Sequence, residues 1–220
     1  MKSLFCGKNY DMRLKRLMDV VLAGILLIIF FPVCFLVAIA IKLDSEGPIF
    51  ADVPERVGQN GALFKMYKFR SMIKNAHVLL HTDSRFKILF EQYQKDSYKL
   101  KDDPRVTFVG KWIRKHSIDE IPQLLNVLLG EMSIVGPRAY YPDELKNQQK
   151  RHPDTKKFVT EVLSVKPGIT GLWQVSGRSE VHFDKRIALD AEYIRSISLL
   201  EDVKIIAKTP LVMITGRGAI

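Results

Sequence analysis

The feature that most constrains this chain is a long apolar run near its N-terminus. Residues 20–41 contain no charged and no strongly polar side chain. As a helix with a rise of about 1.5 Å per residue, the run would be about 33 Å long, enough to cross the hydrocarbon core of a bilayer. It is too long for the apolar part of a typical cleavable signal peptide. The sequence therefore predicts that the chain meets a membrane.

Two features bear on how the run enters the membrane. Pro32 lies near its middle, where proline removes a backbone hydrogen bond and kinks a helix. Basic side chains flank it on both sides, at Arg13, Lys15 and Arg16 before it and at Lys42, Arg56, Lys65, Lys68 and Arg70 after it. A spanning helix typically has its excess of Lys and Arg on the cytoplasmic side only. A helix that enters, bends at Pro32 and returns to the same face fits better, and a proline-kinked spanning anchor is the alternative.

The positive net charge of the chain indicates the kind of partner that it binds. The chain has 34 Lys and Arg against 24 Asp and Glu, a formal net charge of +10. This excess favours an anionic partner such as nucleic acid, phospholipid or a phosphorylated small molecule. Nucleic acid is disfavoured because the sequence has no helix-turn-helix, no zinc-finger spacing and no interleaving of aromatic residues with arginines. A P-loop and a GxGxxG fingerprint are also absent from the sequence, so neither motif supports nucleotide binding.

The rest of the sequence predicts short elements separated by turn residues. The dipeptide Asn60-Gly61 lies between two short strand patterns and is typical of a hairpin turn. Helical patterns cover residues 71–99, 121–129, 139–165 and 183–199, and a glycine-rich loop with an exposed Trp173 is expected over residues 168–178. Residues 201–220 alternate apolar pairs with lysines, as in an amphipathic element at a bilayer surface or an ordinary helix packed on the core.

Two adjacent carboxylates, Asp119 and Glu120, precede the apolar helix predicted over residues 121–129. Pro122 suits a first helical turn, so the pair lies at or just before the start of that helix, where irregular dihedral angles let both side chains converge. The free N–H groups and the positive end of the helix dipole favour ionised carboxylates and bound phosphate there. A capping box from Ser117 to Glu120 is the alternative explanation of the pair.

Six basic residues lie beside turn residues or in short motifs rather than along one helical stripe. They are Lys68, Arg70, Arg105, Arg114, Arg138 and Arg178. Taken singly, each would be an ordinary solvated surface charge. Guanidinium groups that converge from several loops can clamp a diphosphate, so the set as a whole predicts an anion-binding site.

Several of these fragments occur together in a known order. They are KRLMD (15–19), IKLDSEGPIF (41–50), ERVGQNG (55–61), KFRSM (68–72), DPRVT (103–107), the stretch with Asp119 and Glu120, KPGITGLWQVSGR (166–178) and RIALDAEY (186–193). Each is weak alone. In this order and with the membrane run, the chain resembles the bacterial sugar transferases of the monotopic class, which are polyprenyl-phosphate glycosyl-1-phosphate transferases. The resemblance covers nearly the whole length.

The resemblance implies an α+β, predominantly helical fold. It consists of an N-terminal re-entrant membrane helix-hairpin, bent at Pro32, and a small cytosolic catalytic domain with a short β-hairpin and interfacial amphipathic helices. The implied division is a basic leader (1–19), the re-entrant helix (20–41) and the catalytic domain (42–220). The expected location is the bacterial cytoplasmic membrane, with the catalytic domain on the cytoplasmic face. Phe31 departs from the serine that the family commonly has before this proline, where a hydroxyl would satisfy carbonyls freed by the kink.

The resemblance also implies an enzyme, a phosphoglycosyl transferase. It would transfer a sugar-1-phosphate from a UDP-sugar to polyprenyl (undecaprenyl) phosphate and release UMP, the first membrane step in the synthesis of exopolysaccharide, capsule, O-antigen or another glycoconjugate. By the same resemblance, Asp119 is the nucleophile that forms a covalent phosphoglycosyl-enzyme, and Glu120, with Asp119, holds Mg²⁺. Lys68 and the five arginines fit phosphate binding. Asp190 either serves the site or pairs structurally with Arg186.

Several points stay open at the level of sequence. The sugar, the phosphate that each arginine contacts, the downstream glycan and a homo-oligomeric state are not determined. The alternative function is a non-catalytic, membrane-anchored basic protein that binds anionic membrane lipid or assembly partners. Asp119 discriminates between the two functions, because only the transferase needs it.

Overall fold

The apolar run forms the middle of a single helix, α1 (Met12–Asp44), in a computed structural model that describes residues 11–95, 100, 103–177 and 181–215. The helix begins and ends beyond the predicted bounds of 20–41, and Pro32 lies inside it without ending it. Asp11 caps its first turn by accepting a hydrogen bond from the Arg13 N–H at 2.8 Å. Only 11% of its most apolar 18-residue stretch is buried. By length and composition the helix could cross a membrane.

The N-terminal part of α1 is tied to the domain by polar side chains. The ammonium group of Lys15 lies 2.7 Å from Asp202 Oδ2. Asp19 accepts hydrogen bonds from the Ser133 hydroxyl at 2.7 Å and from the Ile134 N–H at 3.0 Å. Buried charges are stable when they are paired in this way, so these bonds hold the beginning of the helix against the domain.

The C-terminal end of α1 contacts the same domain. Asp44 accepts a hydrogen bond from the Val109 N–H at 3.3 Å, and Ile41 packs in a buried cluster with Phe69 and Ile113. Between the two attached ends, the helix exposes large apolar side chains, among them Ile28, Ile29, Phe31, Phe35 and Leu36. The middle of α1 therefore exposes one apolar face, while Leu26, Leu27 and Phe30 pack against the core.

The domain that follows consists of short helices. They are α2 (Ala76–Thr82), α3 (Lys87–Lys95), α4 (Phe108–Lys115), α5 (Gln123–Leu129), α6 (Pro142–Arg151), α7 (Lys156–Val162), α8 (Leu172–Val175), α9 (Phe183–Ser196) and α10 (Leu199–Thr215). The predicted helices over 71–99 and 139–165 are each interrupted. The second breaks at Pro153, which begins a 3-10 turn between α6 and α7 because proline has no N–H to donate.

The sheet content is small. Strands β1 (Arg56–Val57) and β2 (Leu63–Phe64) pair antiparallel around the predicted hairpin turn, in which Asn60 has a φ of 55° and Gly61 a φ of 82°. This confirms the hairpin, and the mainly helical fold with little sheet agrees with the expected class.

A second strand pair was not predicted. Strands β3 (Ser133–Val135) and β4 (Gly168–Thr170) pair parallel, with Ser133 opposite Gly168. A Cβ at Gly168 would lie 2.1 Å from the backbone nitrogen of Gly136, so only glycine allows this approach. The predicted loop with an exposed Trp173 was wrong, because this side chain lies in α8 and is buried.

The hydrophobic core has two main parts. One lies between α1, α5, β3 and α10 and includes Ala23, Val127, Val135 and Ile205. The other lies around α7 and α9 and includes Val162, Phe183 and Ile187. Because α5 packs in the first cluster, the turn before it, which carries Asp119 and Glu120, has a rigid support.

Candidate active site

Asp119 and Glu120 lie in a 3-10 turn, Ile118–Glu120, that directly precedes α5. Ser117 enters this turn with a φ of 55°, and its side chain makes no capping hydrogen bond to it. The structure therefore does not support the capping-box explanation. The irregular backbone before the helix brings both carboxylates to the same side, as the position of Pro122 predicted.

Lys68 is the point on which the two carboxylates converge. Its Nζ lies 3.0 Å from Asp119 Oδ2 and 3.1 Å from Glu120 Oε1. The Asp119 side chain is only 3% exposed, whereas that of Glu120 is 36% exposed. The two adjacent acids thus have different environments, one enclosed and one facing solvent.

Burial and charge act against each other at this ion pair. Burial raises the pKa of the Asp119 carboxyl, while the ammonium group of Lys68 opposes this rise by favouring the ionised form. Burial alone would lower the pKa of Lys68, but Asp119 and Glu120 hold it above its ordinary value. The result is a cation held against two acids, one of them poorly hydrated.

The ion pair lies on the wall of an open cleft of about 290 Å³. Five of the six predicted phosphate-binding residues line this cleft: Lys68, Arg70, Arg105, Arg114 and Arg138. Arg178 lies outside the described residues. The structure therefore brings the predicted cations and the carboxylate pair into one site, although they come from distant parts of the chain.

The side chain of Arg70 is engaged by the protein itself. Its guanidinium group donates to the carbonyl oxygens of Ile41 at 3.2 Å and Ser45 at 2.7 Å, and to that of Glu46. These carbonyls belong to the last turn of α1 and the residues after it, where helices leave carbonyl groups without intrahelical partners. Arg70 thus donates to carbonyl groups at the C-terminal end of α1.

Arg105 is engaged even more completely. Its Nε and Nη2 donate to the two oxygens of Asp103 at 2.8 and 2.6 Å, and its Nη1 donates to the Ala76 carbonyl at 2.8 Å. Arg105 and Asp103 are both buried. Because each guanidinium nitrogen of Arg105 already has a partner, its role in phosphate binding stays a prediction without geometric support.

Arg138 lies beside an aromatic ring. Within the described part of the chain, no partner is found for its Nε, and the same holds for the Nε of Arg70. The guanidinium carbon of Arg138 lies 5.2 Å from the centroid of the Trp173 ring, within the range of a cation–π contact. Arg138 lines the cleft together with Lys68 and Arg114.

Asp190 bonds to the backbone of Arg138. The buried carboxylate accepts hydrogen bonds from the Arg138 backbone N–H at 3.1 Å and from the Tyr140 hydroxyl at 2.8 Å. Burial raises the pKa of Asp190 to about 7, against the effect of these donors and of nearby Arg186. Asp190 does not line the cleft. The structure therefore gives it a supporting contact with the site.

Arg186 has a carboxylate partner that the sequence did not reveal. Its Nη2 lies 2.7 Å from Glu144 Oε1, and both side chains are fully buried. The two residues are 42 positions apart, in α6 and α9, so no local pattern could pair them.

Arg56 is a further cleft residue that sequence reasoning did not single out. Its guanidinium carbon lies 3.3 Å above the Tyr141 ring, and its Nη1 donates to the Ala139 carbonyl at 3.2 Å. In the sequence Arg56 is one of many basic residues after the apolar run, and nothing local distinguishes it.

The carboxylate pair meets one requirement of a magnesium site. Within the described residues, no group of three or more His, Cys, Asp or Glu side chains could hold a metal ion. Mg²⁺ at phosphate-handling sites is commonly bound by one or two carboxylates, with substrate oxygens and water completing its shell. Asp119 and Glu120 therefore fit such an ion together with a bound diphosphate, and Glu120 is the more accessible of the two.

Comparison with known proteins identifies the family of this chain. Residues 10–216 match the family described as "Bacterial sugar transferase". The chain belongs to the bacterial sugar transferase family. The match includes α1, the cleft and α10, so the family assignment covers both the membrane helix and the candidate site.

Three relatives illustrate the range of the family. An undecaprenyl-phosphate galactose phosphotransferase of Salmonella typhimurium is 43% identical over 97% of this chain and 43% of its own length. An exopolysaccharide production protein, ExoY, of Sinorhizobium fredii is 41% identical over 93% of this chain and 87% of its own. An undecaprenyl-phosphate glucose phosphotransferase of Komagataeibacter xylinus is 41% identical over 96% of this chain and 38% of its own. The chain thus spans less than half the length of two of these relatives.

Proposed function

We propose that this bacterial sugar transferase is a phosphoglycosyl transferase that moves a sugar-1-phosphate from a UDP-sugar to polyprenyl phosphate and releases UMP. The observation that carries the proposal is the enclosed Asp119 carboxylate, paired with Lys68 on the wall of a cationic cleft. The names of the relatives support undecaprenyl phosphate as the acceptor. One relative is named for galactose and one for glucose, so we propose no particular sugar.

In the first step, an oxygen of Asp119 attacks the phosphorus atom that bears the sugar. The bond from this phosphorus to the oxygen it shares with the UMP phosphate breaks, and UMP leaves with that oxygen. The product on the enzyme is an acyl phosphate that joins Asp119 to the sugar-1-phosphate. Such covalent catalysis divides one difficult transfer into two easier ones.

In the second step, a phosphate oxygen of the polyprenyl phosphate attacks the same phosphorus atom. The bond from phosphorus to Asp119 breaks, the carboxylate is restored, and the sugar leaves on a polyprenyl diphosphate. Lys68, Arg114 and Arg138 line the cleft in which this charge develops, and fixed cations stabilise such charge without reorganisation of solvent.

We infer that Glu120, with Asp119, holds Mg²⁺ when the donor is bound. The ion would offset the negative charge of the diphosphate and help UMP to leave. If this is so, excess EDTA abolishes turnover and added Mg²⁺ restores it. Full activity in EDTA would contradict the metal role.

We infer that α1 is re-entrant and that the domain lies on the cytoplasmic face of the bacterial inner membrane. Both ends of α1 bond to residues of the same domain, while the apolar middle around Pro32 is exposed. A straight helix of 33 residues would extend about 50 Å and carry its two ends to opposite faces of a bilayer. A bend at Pro32 lets both ends stay at one face.

Two further surfaces support contact with lipid. Helix α4 exposes Phe108 and Trp112 beside basic residues, and α10 exposes Leu200, Val203, Leu211 and Ile214. The His116 ring nitrogen lies 3.2 Å from the Met213 carbonyl and links these two regions. Amphipathic helices with large apolar and basic side chains bind at the bilayer interface.

Asp119→Asn tests the reaction. The amide keeps the size of the side chain but removes the nucleophilic oxygen, so UMP release from a panel of UDP-sugars with undecaprenyl phosphate should fall to background. In the wild type, incubation with donor alone should add the mass of the sugar phosphate to the protein, and the variant should gain nothing. Asp154→Asn, at an exposed position away from the cleft, is the matched control and should behave as the wild type.

The same variant separates the proposal from the non-catalytic alternative. A protein that only binds anionic lipid or assembly partners does not need Asp119. Full UMP release by Asp119→Asn would refute the covalent mechanism. Absence of UMP release by the wild type with every donor in the panel, together with unchanged vesicle binding by the variant, would favour the alternative.

Accessibility labelling tests the topology. With Cys6 and Cys34 replaced, single cysteines are introduced at Met12 and Leu43, which lie at the two ends of α1. A re-entrant helix predicts that an impermeant thiol reagent labels both from the cytoplasmic side in oriented vesicles. Labelling of the two positions from opposite faces would refute the re-entrant topology.

A further inference from the structure

Asn126 lies in α5 and is fully buried. Its Oδ1 accepts a hydrogen bond from the Tyr67 N–H at 2.9 Å. Its Nδ2 donates to the Lys65 carbonyl at 2.8 Å and to Glu131 Oε2 at 2.7 Å. A buried amide whose donors and acceptor are all used is held in one orientation, and losing it leaves several buried groups without partners.

These bonds make the Asn126 side chain a substitute for a neighbouring strand. Strand β2 ends at Phe64, and residues 65–68 continue beyond its ladder. A strand neighbour would accept the N–H of one residue and donate to the carbonyl of another. The amide of Asn126 does both, for Tyr67 and Lys65, so it fixes this segment against α5.

Lys68 follows immediately and is held from both sides. Before it, the Tyr67 N–H is bonded to Asn126, and after it the Phe69 N–H donates to the Asp119 carbonyl at 2.9 Å. Both acceptors belong to residues 119–126, the segment that also carries the two acids. The separation of Lys68 from Asp119 is therefore constrained by one hydrogen bond on each side of the lysine, in addition to the bond that the Lys68 carbonyl accepts from the Ala51 N–H at 2.8 Å.

We propose that Asn126 is a positioning residue of the transferase site, whose side-chain amide helps to determine where Lys68 lies relative to Asp119. Asn126 itself does not line the cleft. The inference rests on the proposed function, because only a reaction at Asp119 gives the position of Lys68 a kinetic consequence. Misplacing a group at a reacting centre by about 1 Å can cost about 100-fold in rate.

The kinetic test compares Asn126→Ala with Val162→Ala. Val162 is buried in the separate cluster around α7 and α9, so its truncation weakens the fold at a distance from the cleft. The measurement is the single-turnover formation of the covalent sugar-phosphate adduct, followed by intact-protein mass spectrometry. Its amplitude counts the competent molecules, and its rate constant reports the geometry of the site.

Asn126→Ala should lower the rate constant about 10- to 100-fold, whereas Val162→Ala should lower at most the amplitude. Asn126→Ser, in which a hydroxyl can replace one of the three bonds, should lie between Asn126→Ala and the wild type. It also serves as the test variant if Asn126→Ala does not fold. An unchanged rate constant in the Asn126 variants, or an equal fall in Val162→Ala, would refute the positioning role.

Hydrogen exchange in the substrate-free protein gives a second readout that needs no turnover. The informative amide is that of Phe69, because its acceptor, the Asp119 carbonyl, is present in every variant. Asn126→Ala should speed its exchange, and Val162→Ala should not. Unchanged exchange at Phe69 would refute the inference. If the wild type forms no adduct with any UDP-sugar, the proposed function fails, and the Phe69 exchange still decides whether Asn126 holds the Lys68 segment.

Discussion

The cations of the cleft fall into two groups that the sequence does not distinguish. Arg70 and Arg105 bond to other groups of the protein. Arg70 donates to carbonyls at the end of α1, and Arg105 pairs with Asp103. Lys68 faces the two acids, and the guanidinium carbon of Arg138 lies 5.2 Å from the centroid of the Trp173 ring. The comparison teaches that a cation lining a substrate cleft can belong to the framework, and that its hydrogen bonds decide which role it has.

Lys68→Met should have the largest effect on activity. It keeps the length of the side chain but removes the cation beside Asp119, so turnover per folded molecule should fall about 100- to 1,000-fold. Lys65→Met is the matched control, because the ammonium group of Lys65 forms an exposed pair with Asp52 at 3.4 Å. The measurement is UMP release at saturating donor. Equal losses in the two variants would show that general charge, rather than the contact with Asp119, is what matters.

Arg105→Met should act mainly on stability. Removing one partner of a buried ion pair leaves the other charge uncompensated, which typically costs about 3–5 kcal/mol. The melting temperature should fall, while the turnover of the molecules that stay folded changes little. Asp103→Asn combined with Arg105→Met should recover part of the lost stability. If Arg105→Met is stable and loses as much turnover as Lys68→Met, Arg105 acts in the reaction, and the distinction between the two groups of cations is wrong.

Asp190→Asn should have the smallest effect on activity, since the amide oxygen can accept the same bonds from Arg138 and Tyr140. Its effect should be on pH dependence. The pKa of Asp190 is raised from its ordinary 3.8 to about 7, so the folded state binds this proton more tightly than the unfolded chain. The stability contributed by this group is therefore lost as the pH rises from about 4 to about 7.

Melting curves between pH 5 and pH 8 check this sign. Over that range, the stability of the wild type should fall relative to that of Asp190→Asn, in which position 190 does not titrate. Parallel curves would show that burial does not raise this pKa in the folded protein. The supporting contact between Asp190 and Arg138 would then have to be explained with a permanently ionised carboxylate.

Local patterns predicted the elements whose cause is local. The hairpin was found because Asn60 and Gly61 adopt positive φ angles at low cost, and the carboxylate turn was placed before α5 because of Pro122. The parallel pair of β3 and β4 was missed, since each strand has three residues and their partners are far apart in sequence. The break of the predicted 139–165 helix at Pro153 also has a local cause, because proline has no N–H to donate.

For the candidate site, sequence order and motif chemistry predicted Asp119, Glu120 and five of the cations that line the cleft, but not what each of them contacts. Arg186 binds Glu144 across the second core cluster, and Asn126 reaches Lys65 and Tyr67 across the first. Such pairs form when packing brings distant segments together. The sequence around one partner therefore does not indicate which residue the other partner is. Contact-dependent roles are therefore the part of the site that sequence reasoning could not supply.

The sequence by itself determined that the chain has a long apolar helix near its N-terminus, because apolar length is a property of consecutive residues. It also determined that two acids precede α5, because proline and turn residues act on their immediate neighbours. Only the tertiary structure decided that Lys68 meets both acids while the guanidinium groups of Arg70 and Arg105 bond to other groups of the protein. The physical reason is that each cation bonds to the oxygens that packing brings within about 3 Å of it, and packing is a property of the whole chain.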